Sequence, residues 1–336
     1  MTVVGPFGLS VRDQALEADV QAGLAAVEEG LLEATKSEVP FITEAAQHLV
    51  RAGGKRFRPL LVMLTAQFGD PYAPGVVPSA VVVELTHLAT LYHDDVMDEA
   101  TVRRGVDSAN ARWGNSVAVL TGDFLFARAS HILADLGPEA VRVQAEAFER
   151  LVTGQILETA GPQDGRDPVE HYLDVLSGKT GSLVAVSCRF GAMMSGADET
   201  VVDVLTQYGE RLGVAFQLAD DVLDIASDSR ESGKTPGTDL REGIPTLPVL
   251  RLRERAERLG LAEDVALSEL LDSDLSDDAR LAEAVARLRE HPALEQARRD
   301  AVRYVEDARA ALAPLRDGAA KAGLMELCDA VVHRAG

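Results

Sequence analysis

Two stretches of this chain carry the same three acids at the same spacing, and both are embedded in apolar surroundings. "LATLYHDDVMDE" supplies Asp94, Asp95 and Asp98; "VAFQLADDVLD" supplies Asp220, Asp221 and Asp224, starting 126 residues after Asp94. On a helix, the i, i+4 pair stacks one turn apart on one face, with the i+1 acid beside it. Like charges so placed cost about 0.2–0.5 kcal/mol per pair, and acids in a last turn oppose the helix dipole by about 0.3–1 kcal/mol each. Glu99 adds a fourth acid where the first helix is expected to end. A chain that does this twice needs a cation. Mg²⁺ fits, because it takes one or two carboxylates and completes its shell with phosphate oxygens. Two such helices facing each other would wall an acidic cleft in a helical core.

The rest of the chain is legible as helix. Aromatics make up only 4% of the 336 residues, against 46% hydrophobic residues overall, and apolar–polar alternation is scarce. Helical spacing of apolar residues predicts helices over 11–36, 41–52, 59–69, 78–99, 116–136, 138–160, 168–178, 180–195, 198–227 and 245–259, with shorter ones over 262–335. Gly53-Gly54 stops the second helix, and Pro59 suits the first turn of the third. With no linker, low-complexity tract or fixed-period repeat, one all-α domain over residues 1–336 is the simplest expectation.

A net charge of -21 argues against a nucleic-acid partner. Two cysteines cannot form a disulfide framework, and the N-terminus lacks a basic region and apolar stretch, so a reduced, cytoplasmic setting is expected. No run of 18 apolar residues predicts a membrane span.

The basic residues are placed with economy. Only five of the 33 are lysines, and three of these, Lys55, Lys179 and Lys234, sit in glycine-containing segments. "GGKRFRP" sets Lys55, Arg56 and Arg58 beside two glycines, so backbone and cations can approach an anion closely. Arg103 and Arg104 follow the first acid cluster. "SGKTGS" and "ESGKTPGTD" add Lys179-Thr180 and Lys234-Thr235, but neither is a Walker motif, because the upstream glycine of that pattern is missing from both. Acids and bases together suggest two diphosphate sites, one held through metal and one held directly.

With these residues assembled, the chain resembles the trans-prenyl diphosphate synthases, the polyprenyl synthetases. "HDDVMDE", "LADDVLD", "GGKRFRP", "RRG", "GDFLFARA", "GKTG" and "GKTPGTDL" match that family's motifs in order over roughly residues 45–250. The resemblance implies an all-α isoprenoid synthase fold of antiparallel helices around a deep cavity, a homodimer, and three Mg²⁺ ions per site. It implies head-to-tail condensation: an allylic diphosphate ionises, isopentenyl diphosphate attacks, and a proton is lost. Position by position, Asp94, Asp98, Asp220 and Asp224 correspond to the metal-linked acids, with Asp95 and Asp221 in support. Lys55, Arg58, His87 and Arg104 correspond to the isopentenyl diphosphate site; Arg103, Lys179, Thr180, Gln217 and Lys234 correspond to the allylic site. Gln155 faces either the cavity or the core. Two departures stand out: Ile244 in "GIPTLP" replaces a lysine, and the end "VVHRAG" lacks a basic tail. Both argue against a typical farnesyl diphosphate synthase.

In this family, bulky residues just before the first acid cluster shorten the product. Ala89 and Thr90 are small, and lie about 6–7.5 Å below Asp94 at 1.5 Å per residue. Phe148, seven residues before Gln155, is a candidate floor. A medium or long product is expected, with geranylgeranyl diphosphate as the alternative. A His-Asp phosphohydrolase would leave "GGKRFRP" unexplained. A terpene cyclase would carry Asn, Ser and Glu in its second motif, and a non-catalytic partner subunit would lack the aspartates.

Overall fold

The computed structural model describes residues 13–226 and 236–335. They are helical almost throughout, as the apolar spacing predicts, and the chain divides into two units.

The first unit takes in residues 1–149, 183–209 and 311–326. It holds α1 (Gln14–Ala34), α2 (Pro40–Arg51), α3 (Phe57–Ala66), α4 (Val76–Met97), α5 (Ala109–Trp113), α6 (Asn115–Leu136) and most of α9 (Ser182–Met194). It also holds the first turns of α7 (Pro138–Ala160), α10 (Glu199–Ala226) and α16 (Ala319–Ala335). At its centre is α4, packed chiefly on α6 and also on α3 and α1. Its run from Ser79 to Thr86 is buried without interruption, the mark of a helix enclosed on all sides. Tyr92 is fully buried there and its hydroxyl donates to the carbonyl of Ala45 at 2.5 Å. Among the described residues only α6 is long and apolar enough to cross a membrane, yet it serves as a core helix packed on α4.

The second unit takes in residues 150–182, 210–310 and 327–336. It contains α8 (Pro168–Leu176), α11 (Thr238–Arg241), α12 (Leu247–Leu259), α13 (Ala262–Leu271), α14 (Asp278–Glu290) and α15 (Pro292–Ala311). α12 packs on α13 and α8. Cys188 and Cys328, one in each unit, are both buried thiols.

Three local features depart from the sequence expectation. α3 starts at Phe57 rather than Pro59, with Arg56 as its N-cap at φ 48°. Pro59 is tolerated because amides of a first turn have no intrahelical acceptor to lose. "SGKTG" does not break the chain between α8 and α9: Ser177–Gly181 form a π-helical turn joining them. "TVRRGVD" forms a two-stranded hairpin, β1 (Val102–Arg103) paired antiparallel with β2 (Val106–Asp107). Its turn residues Arg104 and Gly105 have φ 54° and 78°, the signs of a type I′ turn.

Candidate active site

The first acid cluster resolves into acids with different surroundings. α4 ends in a Schellman cap: the amide of Ala100 donates to the carbonyl of Asp95 at 2.9 Å and that of Glu99 to Val96 at 3.4 Å. Glu99 takes the left-handed position, φ 50°, that glycine ordinarily fills. Asp98 is the C-cap and is exposed, while Asp94 is half-buried one turn back. Asp95 points inward, fully buried, and accepts from Arg103 Nε at 2.6 Å. Burial raises its pKa, and Arg103 opposes that shift. The crowding is therefore relieved in part by the neighbouring arginine.

The second cluster, on α10, repeats the division. Asp221 is buried and accepts from the Tyr172 hydroxyl and from Gln217 Nε2 at 3.2 Å. Burial lifts its carboxyl to about 7 against the pull of these two donors. Asp220 and Asp224 are half-buried. The Asp224 oxygens accept from the amides of Thr238 and Asp239 at 3.3 and 3.4 Å, where α11 begins.

Among the described residues no three His, Cys, Asp or Glu side chains form a complete metal cage. Asp94 and Asp98, the pair expected to take metal on α4, lie in the first unit, and Asp220 and Asp224, the pair expected on α10, lie in the second. Such pairs suit an ion that keeps coordination positions for substrate oxygens.

The cationic residues near α4 gather in the first unit. The Gly53-Gly54 loop lies under Arg104: a β-carbon on Gly54 would stand 2.8 Å from the guanidinium carbon, so only glycine admits the side chain. Arg104 Nη1 donates to the carbonyls of Leu49, at 3.1 Å, and Gly53. Arg56 donates to Glu28, to Glu84 at 3.0 Å and to the carbonyl of Val50 at 3.0 Å. Arg58, in the first turn of α3, has a buried Nε without a hydrogen-bond partner. Burial and the nearby charge of Arg104 bring its pKa down to about 10, with Glu84 opposing. His87, one turn beyond Glu84 on α4, is held well below the ordinary histidine range by burial and then by Arg58, Arg104, Arg56 and Arg103. Burial and the four arginine charges together disfavour its protonated form. Lys55 is exposed in the loop between α2 and α3.

In the second unit the π-turn presents Lys179 and Thr180, both half-buried. Lys179 Nζ donates to Glu158 at 2.6 Å. Glu210 accepts from Ser177 Oγ at 2.6 Å and from both terminal nitrogens of Arg150. Gly154 and Gly178 let α7 and the turn cross: a β-carbon on Gly154 would stand 2.6 Å from the Lys179 amide nitrogen. Lys234 lies outside the described residues.

Of the expected chain-length residues, Ala89 is fully enclosed and Thr90 half-buried, its hydroxyl bonded to the carbonyl of His87 at 2.8 Å. Phe148 stacks on Phe126, ring centroids 4.5 Å apart, and Phe126 lies 5.8 Å from His93. Sequence reasoning missed Phe126, Glu84 and Tyr172. Glu84 could have been found as a lone acid in the apolar run "VVVELTHL"; Tyr172 carries no local signal.

Comparison with known proteins identifies the family. The sequence profile of the polyprenyl synthetase family matches residues 39–288. The chain is 46% identical to nonaprenyl diphosphate synthase of Mycobacterium tuberculosis, over 98% of this chain and 97% of that protein. It superposes with TM-score 0.86 on geranylgeranyl pyrophosphate synthase from Corynebacterium glutamicum complexed with calcium and isoprenyl diphosphate, at 43% identity, covering 96% of this chain and 98% of the other. A decaprenyl diphosphate synthase from Rhodobacter capsulatus gives TM-score 0.86 at 36% identity, covering 96% and 99%. The chain belongs to the polyprenyl synthetase family. It is a trans-prenyl diphosphate synthase, an enzyme that condenses isopentenyl diphosphate with an allylic diphosphate, and it works with a divalent metal.

Proposed function

We propose that this synthase makes a medium or long product, roughly seven to ten isoprene units, in a pocket that deepens below Asp94 at 1.5 Å per helical residue. The observation that carries the site assignment is the division of each acid triplet. Asp95 and Asp221 turn inward to Arg103 and to Tyr172 with Gln217, and we assign metal binding to the less buried acids of each triplet, Asp94 and Asp98 on α4 and Asp220 and Asp224 on α10. We take that metal to be Mg²⁺, three ions per site. When bound, it supplies positive charge against a departing diphosphate.

The remaining steps belong to side chains. Lys179, Thr180, Gln217, Arg103 and Lys234 orient the allylic diphosphate. Lys55, Arg58 and Arg104 hold the diphosphate of isopentenyl diphosphate, and neutral His87 donates a hydrogen bond to it without adding charge. Thr90 and Phe148 line the path of the growing chain, with Ala89 enclosed behind Thr90, and an apolar wall keeps water from the carbocation. We read residues 1–336 as one catalytic domain, cytoplasmic and homodimeric. Exposed apolar residues on α6 and at the start of α7, Leu120 at 65% and Val141 at 43%, are suited to a subunit contact.

A second reading, a geranylgeranyl product, is favoured by the complete enclosure of Ala89. The test is incubation with Mg²⁺, labelled isopentenyl diphosphate and, separately, geranyl, farnesyl and geranylgeranyl diphosphates, followed by dephosphorylation and sizing. A ladder ending at one long length supports the first reading. A stop at four units supports the second, and no incorporation by folded protein overturns the site assignment.

A further inference from the structure

Glu84 is 1% exposed in the middle of α4, with Val83 and Leu85 buried on either side. An unpaired carboxylate there would cost several kcal/mol, so its partners determine what it is for. They come from two separate segments. Arg56, the left-handed N-cap of α3, donates to Glu84 Oε1 at 3.0 Å. Arg104, the left-handed corner of the hairpin, places Nη2 at 3.7 Å from the same oxygen. Arg58 also feels this carboxylate, and His87 follows one turn along α4.

Arg56 and Arg104 are otherwise committed to backbone carbonyls and Glu28, whereas Arg58 Nε is buried with no partner. Without a shared counter-charge, these guanidiniums would repel one another in a poorly solvated corner. Glu84 thus does two things at once: it ties the Gly-Gly loop and the hairpin to α4, and it removes one charge from the cluster.

We infer that Glu84 is the positioning residue of the isopentenyl diphosphate pocket, holding Arg56 in place and setting Arg104 to meet a diphosphate together with Arg58, Lys55 and His87. It acts through the arginines and does not touch the ligand. This rests on the assignment of that pocket above.

The test separates the two substrates. Glu84→Gln, nearly isosteric, should raise KM for isopentenyl diphosphate at least about tenfold and change KM for the allylic diphosphate less than about twofold. Glu84→Asp keeps the charge and should recover part of the loss. Lys55→Ala and Arg58→Ala are measured alongside. If neither raises KM for isopentenyl diphosphate, the pocket assignment fails. If both do and Glu84→Gln raises neither KM, or raises both equally, the positioning role is overturned. Should Glu84→Gln not fold, Glu84→Asp decides: the same one-sided rise in KM supports the role, and an unchanged ratio of the two KM values refutes it.

Discussion

Phe126 on α6 and Phe148 on α7 stack tilted at 55°, ring centroids 4.5 Å apart, with His93 beside Phe126 at the foot of the first acid cluster. Under the proposed site assignment, this aromatic column would stop an apolar chain growing away from Asp94. Phe148→Ala or Phe126→Ala should lengthen the dephosphorylated product by one or more isoprene units, and Thr90→Phe should shorten it. Chromatographic sizing decides, and an unaltered length in all three variants would remove the column from the path.

Ala89 behaves differently, because no solvent reaches it. Ala89→Phe should shorten the product if the side chain is accommodated, and overpacking should lower stability by about 1–3 kcal/mol. Denaturant unfolding checks the second outcome beside product sizing.

Removing a carboxylate proposed to bind metal should leave the fold alone. Asp98 is an exposed C-cap, so Asp98→Ala should keep the melting temperature while turnover falls by about 10²–10³, the scale of losing one transition-state electrostatic contact. Calorimetry with Mg²⁺ and a bisphosphonate should show weakened metal uptake. Full turnover in the variant would exclude Asp98 from the metal site.

His87 makes the metal-free protein acid-sensitive. Its folded pKa is depressed, so below about 6.5 the unfolded chain takes up a proton that the folded one refuses. Stability is therefore lost as pH falls, by up to about 1.4 kcal/mol per pH unit below that point. His87→Gln should flatten this limb between pH 7 and 5.5, as read by urea unfolding. An identical slope in the variant would show that His87 carries no such linkage.

The crossing of Gly154 with the π-turn gives a fifth expectation. Gly154→Ala would press a methyl group against the Lys179 amide, so it should raise KM for the allylic diphosphate and cost about 1–3 kcal/mol of stability. Unchanged kinetics would mean that the turn adapts.

Most of the helices were legible because their apolar residues recur at helical spacing, and the acid triplets were legible because their spacing is itself a statement about a helix face. What escaped depended on contacts far apart in sequence. Tyr172 finds Asp221 from 49 residues away, and Phe126 finds Phe148 from a neighbouring helix. "SGKTG" looked like a break because two glycines usually end a helix. Here Gly178 is instead needed for the close approach of Gly154, and the helix runs on with one wider turn. The hairpin was missed because its strands are only two residues each, too short for alternation to register.

That hairpin also works as a distributor. Arg103 closes the first strand and goes to Asp95, while Arg104, in the left-handed corner, goes to the carbonyls of Leu49 and Gly53. A single-residue insertion or deletion between Ala100 and Arg103 would put a different residue in the corner and part each arginine from its partner. The segment can therefore vary in what its other residues are more freely than in how many there are.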